Sequence, residues 1–142
     1  MNMYLELKKQ HQKEVSEFPT IFAFTKEKLI EGMAKLGLKE HETNKLLSLG
    51  HGTFIRKSDK EKFNQMFNRY EGELKKAINE DLTGEGFIYQ MFNYELANHE
   101  YCITYELDDT LDALGFTIDE INKNDKLLHG LRKAIENQKS YF

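Results

Sequence analysis

The sequence predicts an α+β fold, predominantly α-helical, in a single compact domain over residues 1–142. About five to seven helices would pack with a small two- or three-stranded antiparallel sheet. Three observations lead there. A chain of 142 residues has the length of one domain. Apolar residues recur at spacings of three and four through most of it, the mark of amphipathic helices. The clearest strand-like runs, Ile21–Phe24 and Thr53–Arg56, are short, and two short strands hold only when packed on helices.

The first helix covers about residues 2–16, with Tyr4, Leu7, His11 and Val15 on one side, and Pro19 stops it. Ile21–Phe24 is a buried strand. Thr25 then caps a helix whose inner face is Leu29, Ile30, Met33 and Leu36, with Gly37 placed to end it. Residues 40–48 read as a short helix carrying Leu46 and Leu47. Gly50-His51-Gly52 is a turn leading into Thr53–Arg56, a strand able to pair with the first. Ser58-Asp59-Lys60-Glu61 has the form of a capping box. Behind it, Phe63, Met66, Phe67, Tyr70, Leu74, Ala77 and Ile78 step by three and four, which marks a core-facing helix. Asp81–Gly86 is a turn, and a helix runs from about Phe87 to Asn98. Cys102–Tyr105 reads as strand or extended loop. Asp108 and Asp109 open a short helix ended by Gly115, Thr117–Glu120 is a second capping box, and the last helix covers about 125–138.

Composition excludes several classes. Apolar residues make up 39% and charged residues 31%, with ten Phe and seven Tyr, so the chain is globular rather than disordered. A single Cys excludes an internal disulfide and a cysteine-built zinc site. No apolar run approaches the ~18 residues that cross a bilayer, and no leader-like segment opens the sequence. The expectation is a cytoplasmic protein with no membrane association.

The net charge of −4 hides an asymmetry. Residues 1–71 carry 13 Lys/Arg and 10 Asp/Glu, whereas residues 72–142 carry 7 and 14. The 46 residues from Ala77 to Asn122 contain no Lys or Arg and 11 Asp or Glu. Nucleic-acid binding by this half is disfavoured, because phosphate neutralisation requires cations. A partner with a basic surface fits it, as does a plain solvated acidic face. The cations Arg56, Lys57, Lys60 and Lys62 form too small a patch to argue for nucleic acid.

Two segments concentrate candidate site residues. Glu95 and His99 are four apart and share a helix face, with Glu100 beside them. A carboxylate against an imidazole suits acid–base work or half of a metal site, and equally a structural hydrogen bond at a core edge. No Glu-x-x-His or His-Glu-x-x-His zinc spacing is present. Glu106, Asp108, Asp109 and Asp112 form an acidic cluster. It lacks the ligand spacing of a calcium loop, and it fits a contact with a basic partner or carboxylates facing a helix N-terminus. Cys102 has no specified base or oxyanion pocket, so no catalytic residue, metal or cofactor is assigned.

Gly52–Lys57, Gly86–Phe92, Tyr94-Glu95-Leu96, Asn98–Cys102 and Asp109–Gly115 together resemble an uncharacterised family of small proteins from Firmicutes and their phages and prophages. The resemblance covers nearly the whole chain and carries no catalytic motif. It implies a cytoplasmic protein of a mobile element, a setting in which small proteins often bind and block a host protein. The expected function is therefore a non-enzymatic protein-binding module. In its sharper form it is a phage or prophage inhibitor of a host defence protein. The acidic C-terminal half, through Glu95, His99, Glu100, Glu106, Asp108, Asp109 and Asp112, would meet a basic host surface. The alternative is a small metal- or ligand-dependent enzyme or binding protein using Glu95, His99 and Glu100. A homodimer is compatible with either.

Overall fold

The computed structural model describes residues 2–140. Its elements follow in the order α1 (Met3–Glu17), β1 (Ile21–Phe22), α2 (Lys26–Lys35), β2 (Leu46–Gly50), β3 (Thr53–Arg56), α3 (Lys60–Glu80), α4 (Phe87–Asn98), α5 (Tyr101–Thr104), α6 (Asp108–Leu114), α7 (Ile118–Asn122) and α8 (Asp125–Lys139). The fold is α+β and mostly helical, with a three-stranded antiparallel sheet of order β1-β3-β2. Residue contacts group into two compact units. One comprises residues 12–71, and the other 1–11 with 72–142.

In the unit of residues 12–71, Ile21, Ala23 and Met33 form a small core that Leu29, Leu36, Leu38, Leu46 and Phe54 close from the sides. α2 starts where Thr25 Oγ1 accepts the Lys28 N–H at 3.2 Å, the expected cap. Residues 40–48 are not a helix. A 3₁₀ turn at Thr43–Lys45 leads directly into β2, which pairs with β3 through Leu47↔Ile55 and Leu46↔Arg56. The reason lies in the Gly50-His51-Gly52 turn, where all three residues have positive φ. Such a turn reverses the chain into a hairpin, so the residues before it must be a strand. The expected capping box at Ser58 does not form either. Ser58 sits inside a 3₁₀ turn, Lys57–Asp59, ahead of α3. Asp59 instead accepts the Arg56 Nε–H at 2.7 Å, while Arg56 Nη1 donates to the Leu36 carbonyl at 3.1 Å.

The unit of residues 1–11 and 72–142 is organised around α4. Phe87, Ile88, Met91, Phe92, Glu95 and Leu96 are all buried, so this helix is covered on more than one side. α8 packs along it, with Leu127, Leu131 and Ala134 in the shared core. Asn124 caps α8 by accepting the Lys126 and Leu127 N–H groups at 3.1 and 3.2 Å. At its far end the amides of Asn137 and Gln138 each donate to Asn93 Oδ1 at 2.8 Å, which satisfies the buried Gln138. Thr117 Oγ1 accepts the Glu120 N–H at 3.2 Å and so caps α7, while the Glu120 carboxylate accepts from the Thr117 hydroxyl at 3.1 Å rather than from the backbone N–H that a full capping box would use. Cys102–Tyr105 is not extended. Residues Tyr101–Thr104 form the one-turn α5, which brings the α-helices among the described residues to eight. Ile103, Thr104 and Tyr105 favour strands by propensity, but burying Tyr101 and stacking it edge-on against Tyr105, centroids 5.9 Å apart, outweighs that preference. No helix among the described residues is long and apolar enough to cross a membrane.

Two glycines yield a stability test. A Cβ on Gly130 in α8 would lie 2.5 Å from Ile88 Cγ2 and 2.6 Å from the Gly84 carbonyl oxygen. Both contacts are too short, so Gly130 is what lets α8 approach α4. A Cβ on Gly72 in α3 would meet nothing within 4 Å. Gly72→Ala should therefore stabilise by about 0.5–1 kcal/mol through helix propensity. Gly130→Ala should destabilise by about 1–3 kcal/mol through overpacking. Urea midpoints of the two variants would read the opposite signs.

Candidate functional site

The candidate residues divide into a buried set and an exposed set. Glu95 belongs to the first, at 3% relative exposure on α4. A carboxylate that deep needs donors, and three side chains supply them. Tyr4 Oη donates to Oε2 at 2.5 Å, Lys8 Nζ lies 2.7 Å from Oε2 and 3.1 Å from Oε1, and Asn98 Nδ2 reaches Oε1 at 3.4 Å. Lys8 also sits over the Tyr94 ring, 5.0 Å from its centroid, a cation–π arrangement that helps hold the ammonium. Tyr4 is itself buried and meets Phe87 edge-on at 5.7 Å. The periodicity of α1 places Tyr4 and Lys8 four apart on one face, and that face is read by Glu95.

The His99 side chain is not among the partners of the Glu95 carboxylate. It caps the C-terminal end of α4, its backbone N–H donating to the Glu95 carbonyl at 3.0 Å. Glu100 is exposed and has left-handed backbone geometry, φ +58°. Glu95, His99 and Glu100 are thus neighbours in sequence that the fold sends to different tasks. Among the described residues no group of three or more His, Cys, Asp or Glu side chains is placed to hold a metal ion.

The exposed set lies on and around α5 and α6. Glu106, Asp108, Asp109 and Asp112 are all exposed. None of the four takes part in an ion pair among the described residues. Asp108 and Asp109 occupy the first turn of α6, where the helix dipole favours them, and Asp112 follows one turn on. α6 is anchored beneath by the buried Thr110 and Leu111, with Thr110 Oγ1 donating to the Glu95 carbonyl at 3.4 Å.

Sequence reasoning missed the apolar residues beside these acids. Ile103 is 66% exposed and Tyr105 is 55% exposed. They stand at the end of α5, whose one turn is bracketed by two non-glycine residues at φ +58°, Glu100 and Tyr105. Left-handed geometry at non-glycine residues costs energy and persists only where the surroundings impose it. Here it turns the chain sharply before and after α5 and leaves Ile103 facing water. The sequence signal was too weak to find this: a β-branched, aromatic stretch reads as a strand, not as an exposed turn.

One further group was not foreseen. Asp81, after α3, accepts four backbone N–H bonds, from Gly84 at 2.9 Å, Ile88 at 3.0 Å, Thr83 at 3.1 Å and Gly86 at 3.2 Å. Partial burial by itself would raise the pKa of this carboxyl. The four N–H dipoles, Ile88 first and then Gly84, Thr83 and Gly86, outweigh it and hold the pKa below the usual 3.8. Glu85 in the same loop is lowered by Lys133 at 3.3 Å and then by His129 at 3.5 Å, which ties the loop to α8.

A family model described as a family of unknown function (DUF7659) matches residues 3–137. No curated protein and no solved structure matches the chain.

Two tests follow from this geometry. Glu95→Ala would leave the Lys8 ammonium and the Tyr4 hydroxyl without their acceptor. The expected loss is about 3 kcal/mol, the low end for a broken buried pair because Lys8 keeps some contact with water. In a thermal melt that is a drop of roughly 10 °C, and an unchanged melting temperature would remove Glu95 as the pin of α1. For Asp81 the sign follows from its depressed pKa. Its stabilisation is fully present above 3.8, the unfolded value, and is lost as pH falls through the lower folded value. Asp81→Asn should therefore be less stable than the parent at pH 7. The gap should narrow as pH drops below about 4, measured by urea titrations across that range.

Proposed function

This chain belongs to that family of unknown function, and we propose from there that it is a non-enzymatic module that binds another protein. The binding surface is α5 and α6, and the partner presents a basic patch. One observation carries the reading: Ile103 and Tyr105 face water in the same short stretch of chain as four exposed carboxylates, Glu106, Asp108, Asp109 and Asp112, none of them in an ion pair among the described residues. Apolar anchors within a charged rim are the usual anatomy of a protein interface. The anchors would supply binding energy by desolvation, and the carboxylates would steer a cationic partner and set its orientation. Sequence supports the sign of the partner, since no Lys or Arg occurs from Ala77 to Asn122. Glu95 serves inside this unit rather than on its surface. It holds α1 on α4 and supports α6 through its carbonyl.

The sharper form of the proposal is an inhibitor carried by a phage or prophage that occupies a host defence protein. Its support is the resemblance of the sequence to small proteins of that setting, together with a surface suited to occlusion rather than to chemistry. The natural partner would be a host protein whose own anionic ligand this acidic surface displaces.

The test is capture from host lysate by the tagged chain at low and high salt. A single stoichiometric partner should be held at about 0.1 M salt and released near 1 M, where screening shortens to about 3 Å. The charge reversal Asp108→Lys/Asp109→Lys/Asp112→Lys should weaken capture by at least about tenfold, and Ile103→Ser/Tyr105→Ser should do the same. Both variants change exposed side chains and should melt like the parent. Capture that is absent, or equal for the parent and both variants, overturns the proposal.

A further inference from the structure

A second surface in the same unit lies at the other end of α4. α1, the end of α3 and the loop 81–87 surround a groove of about 690 Å³. Met3, Leu7, Ala77, Leu82 and Phe87 make its walls, and Glu73, Lys76, Glu80 and Asp81 stand around them. Its position is separate from α5 and α6. Phe87 precedes Glu95, where Thr110 of α6 attaches, by about 12 Å of helix.

Three features of the groove define what it takes. First, it is apolar and open. Leu82 is 85% exposed and Met3 is 50% exposed, so the apolar surface continues past the cavity onto its lip. A small molecule seated in the cavity would cover only the inward side of Leu82, whereas a helix about 10 Å across would cover the cavity and its lip together. Second, its lip is already ordered. The four N–H bonds to Asp81 fix the backbone on either side of Leu82, and the Glu85–Lys133 pair ties the same loop to α8. An exposed leucine on a fixed loop loses little freedom on binding. Third, the charge around the groove is net negative. Three carboxylates, Glu73, Glu80 and Asp81, stand on the rim with one ammonium, Lys76, which lies 3.8 Å from Glu80. α3 also ends at Glu80, so the negative end of its dipole points to the same place.

We propose that the groove binds a basic amphipathic helix of a partner protein, with the apolar face of that helix against Leu7, Ala77, Leu82 and Phe87 and its Lys or Arg residues over Glu73 and Glu80. The anchors of such a helix recur at i, i+3 or i+4, and i+7, the spacing with which helices enter apolar grooves. The proposal extends the protein-binding reading to a second contact, yet it does not depend on α5 or α6.

The probe is a labelled peptide of about 18 residues built from Leu and Lys at helical spacing, with binding read by fluorescence anisotropy. Two controls replace Lys by Glu or scramble the order to abolish the apolar face. The full-length chain should bind the Lys peptide at least about tenfold more tightly than either control. Leu82→Ser, at an exposed position, and Ala77→Trp, which fills the groove, should each weaken it by about tenfold. Far-UV circular dichroism would confirm that both variants stay folded. The triple reversal at Asp108, Asp109 and Asp112 should change affinity by less than about twofold, because the sites are separate. No binding, equal binding of the three peptides, or parental affinity in Leu82→Ser and Ala77→Trp overturns the groove. If only the triple reversal weakens the peptide, the peptide sits on α6; the groove proposal then fails while the earlier reading stands. If Leu82→Ser and Ala77→Trp weaken the peptide but lysate capture does not depend on α6, the groove stands and the earlier reading fails.

Discussion

A carboxylate at Glu95 with 3% exposure could not remain there without donors, and the larger unit is arranged to provide them. Tyr4 and Lys8 come from α1, Asn98 from the next turn of α4, and Thr110 uses the carbonyl of the same residue. One residue therefore joins α1, α4 and α6. Replacing such a cluster by apolar side chains of similar volume could match its stability. What the polar version adds is direction. Hydrogen bonds of 2.5 and 2.7 Å permit one rotation of α1 about its axis, whereas an apolar contact tolerates several.

That arrangement has a functional consequence. The group with the most catalytic promise in the sequence is taken up internally, and the proposed binding surfaces are made of side chains that the fold leaves outside. On α5 and α6 these are carboxylates with apolar neighbours. At the start of α4 they are the leucine and methionine of an acidic-rimmed groove. Both surfaces sit on backbone that is held in place: α6 by Thr110 and Leu111, and the 81–87 loop by Asp81. Fixed backbone under exposed anchors is the economical way to present a binding surface, because little order must be imposed when the partner arrives.

Where the sequence predicted correctly, the signal was local. Thr25, Thr117 and Gly115 end or begin their helices as their chemistry dictates, with Gly115 at φ +76° closing α6. The long stripe from Phe63 to Ile78 falls on α3 as its spacing requires. Errors arose where a partner distant in sequence decides the outcome. Leu46 and Leu47 fit either a helix or a strand, and only β3, reached through a turn with three positive φ angles, selects the strand. The Ser58–Glu61 spacing predicts a capping box, but a 3₁₀ turn takes up Ser58 and Asp59 pairs with Arg56. Glu95 was paired with His99 because four residues separate them, whereas Lys8 and Tyr4, more than 80 residues away, were invisible to any local rule. The acidic residues of α6 were visible because charge is legible without a fold. The exposure of Ile103, Tyr105 and Leu82 was not, since an apolar residue in a sequence reads as core by default.

The exposed apolar residues bear most directly on whether this chain is built to bind. A single exposed leucine or isoleucine on a small protein is ordinary. What separates Ile103, Tyr105 and Leu82 from that background is the expense of the backbone that displays them. Two non-glycine residues with left-handed geometry bracket α5. The loop carrying Leu82 engages both oxygens of a carboxylate in four backbone bonds. Had stability alone shaped these segments, glycine at position 100 would relieve strain there and a polar residue at 82 would remove exposed apolar surface, whereas at 105 the ring contact with Tyr101 offsets the strain. Backbone held in place beneath outward-facing apolar side chains, with net negative charge on the same segments, is the arrangement the proposed binding role requires.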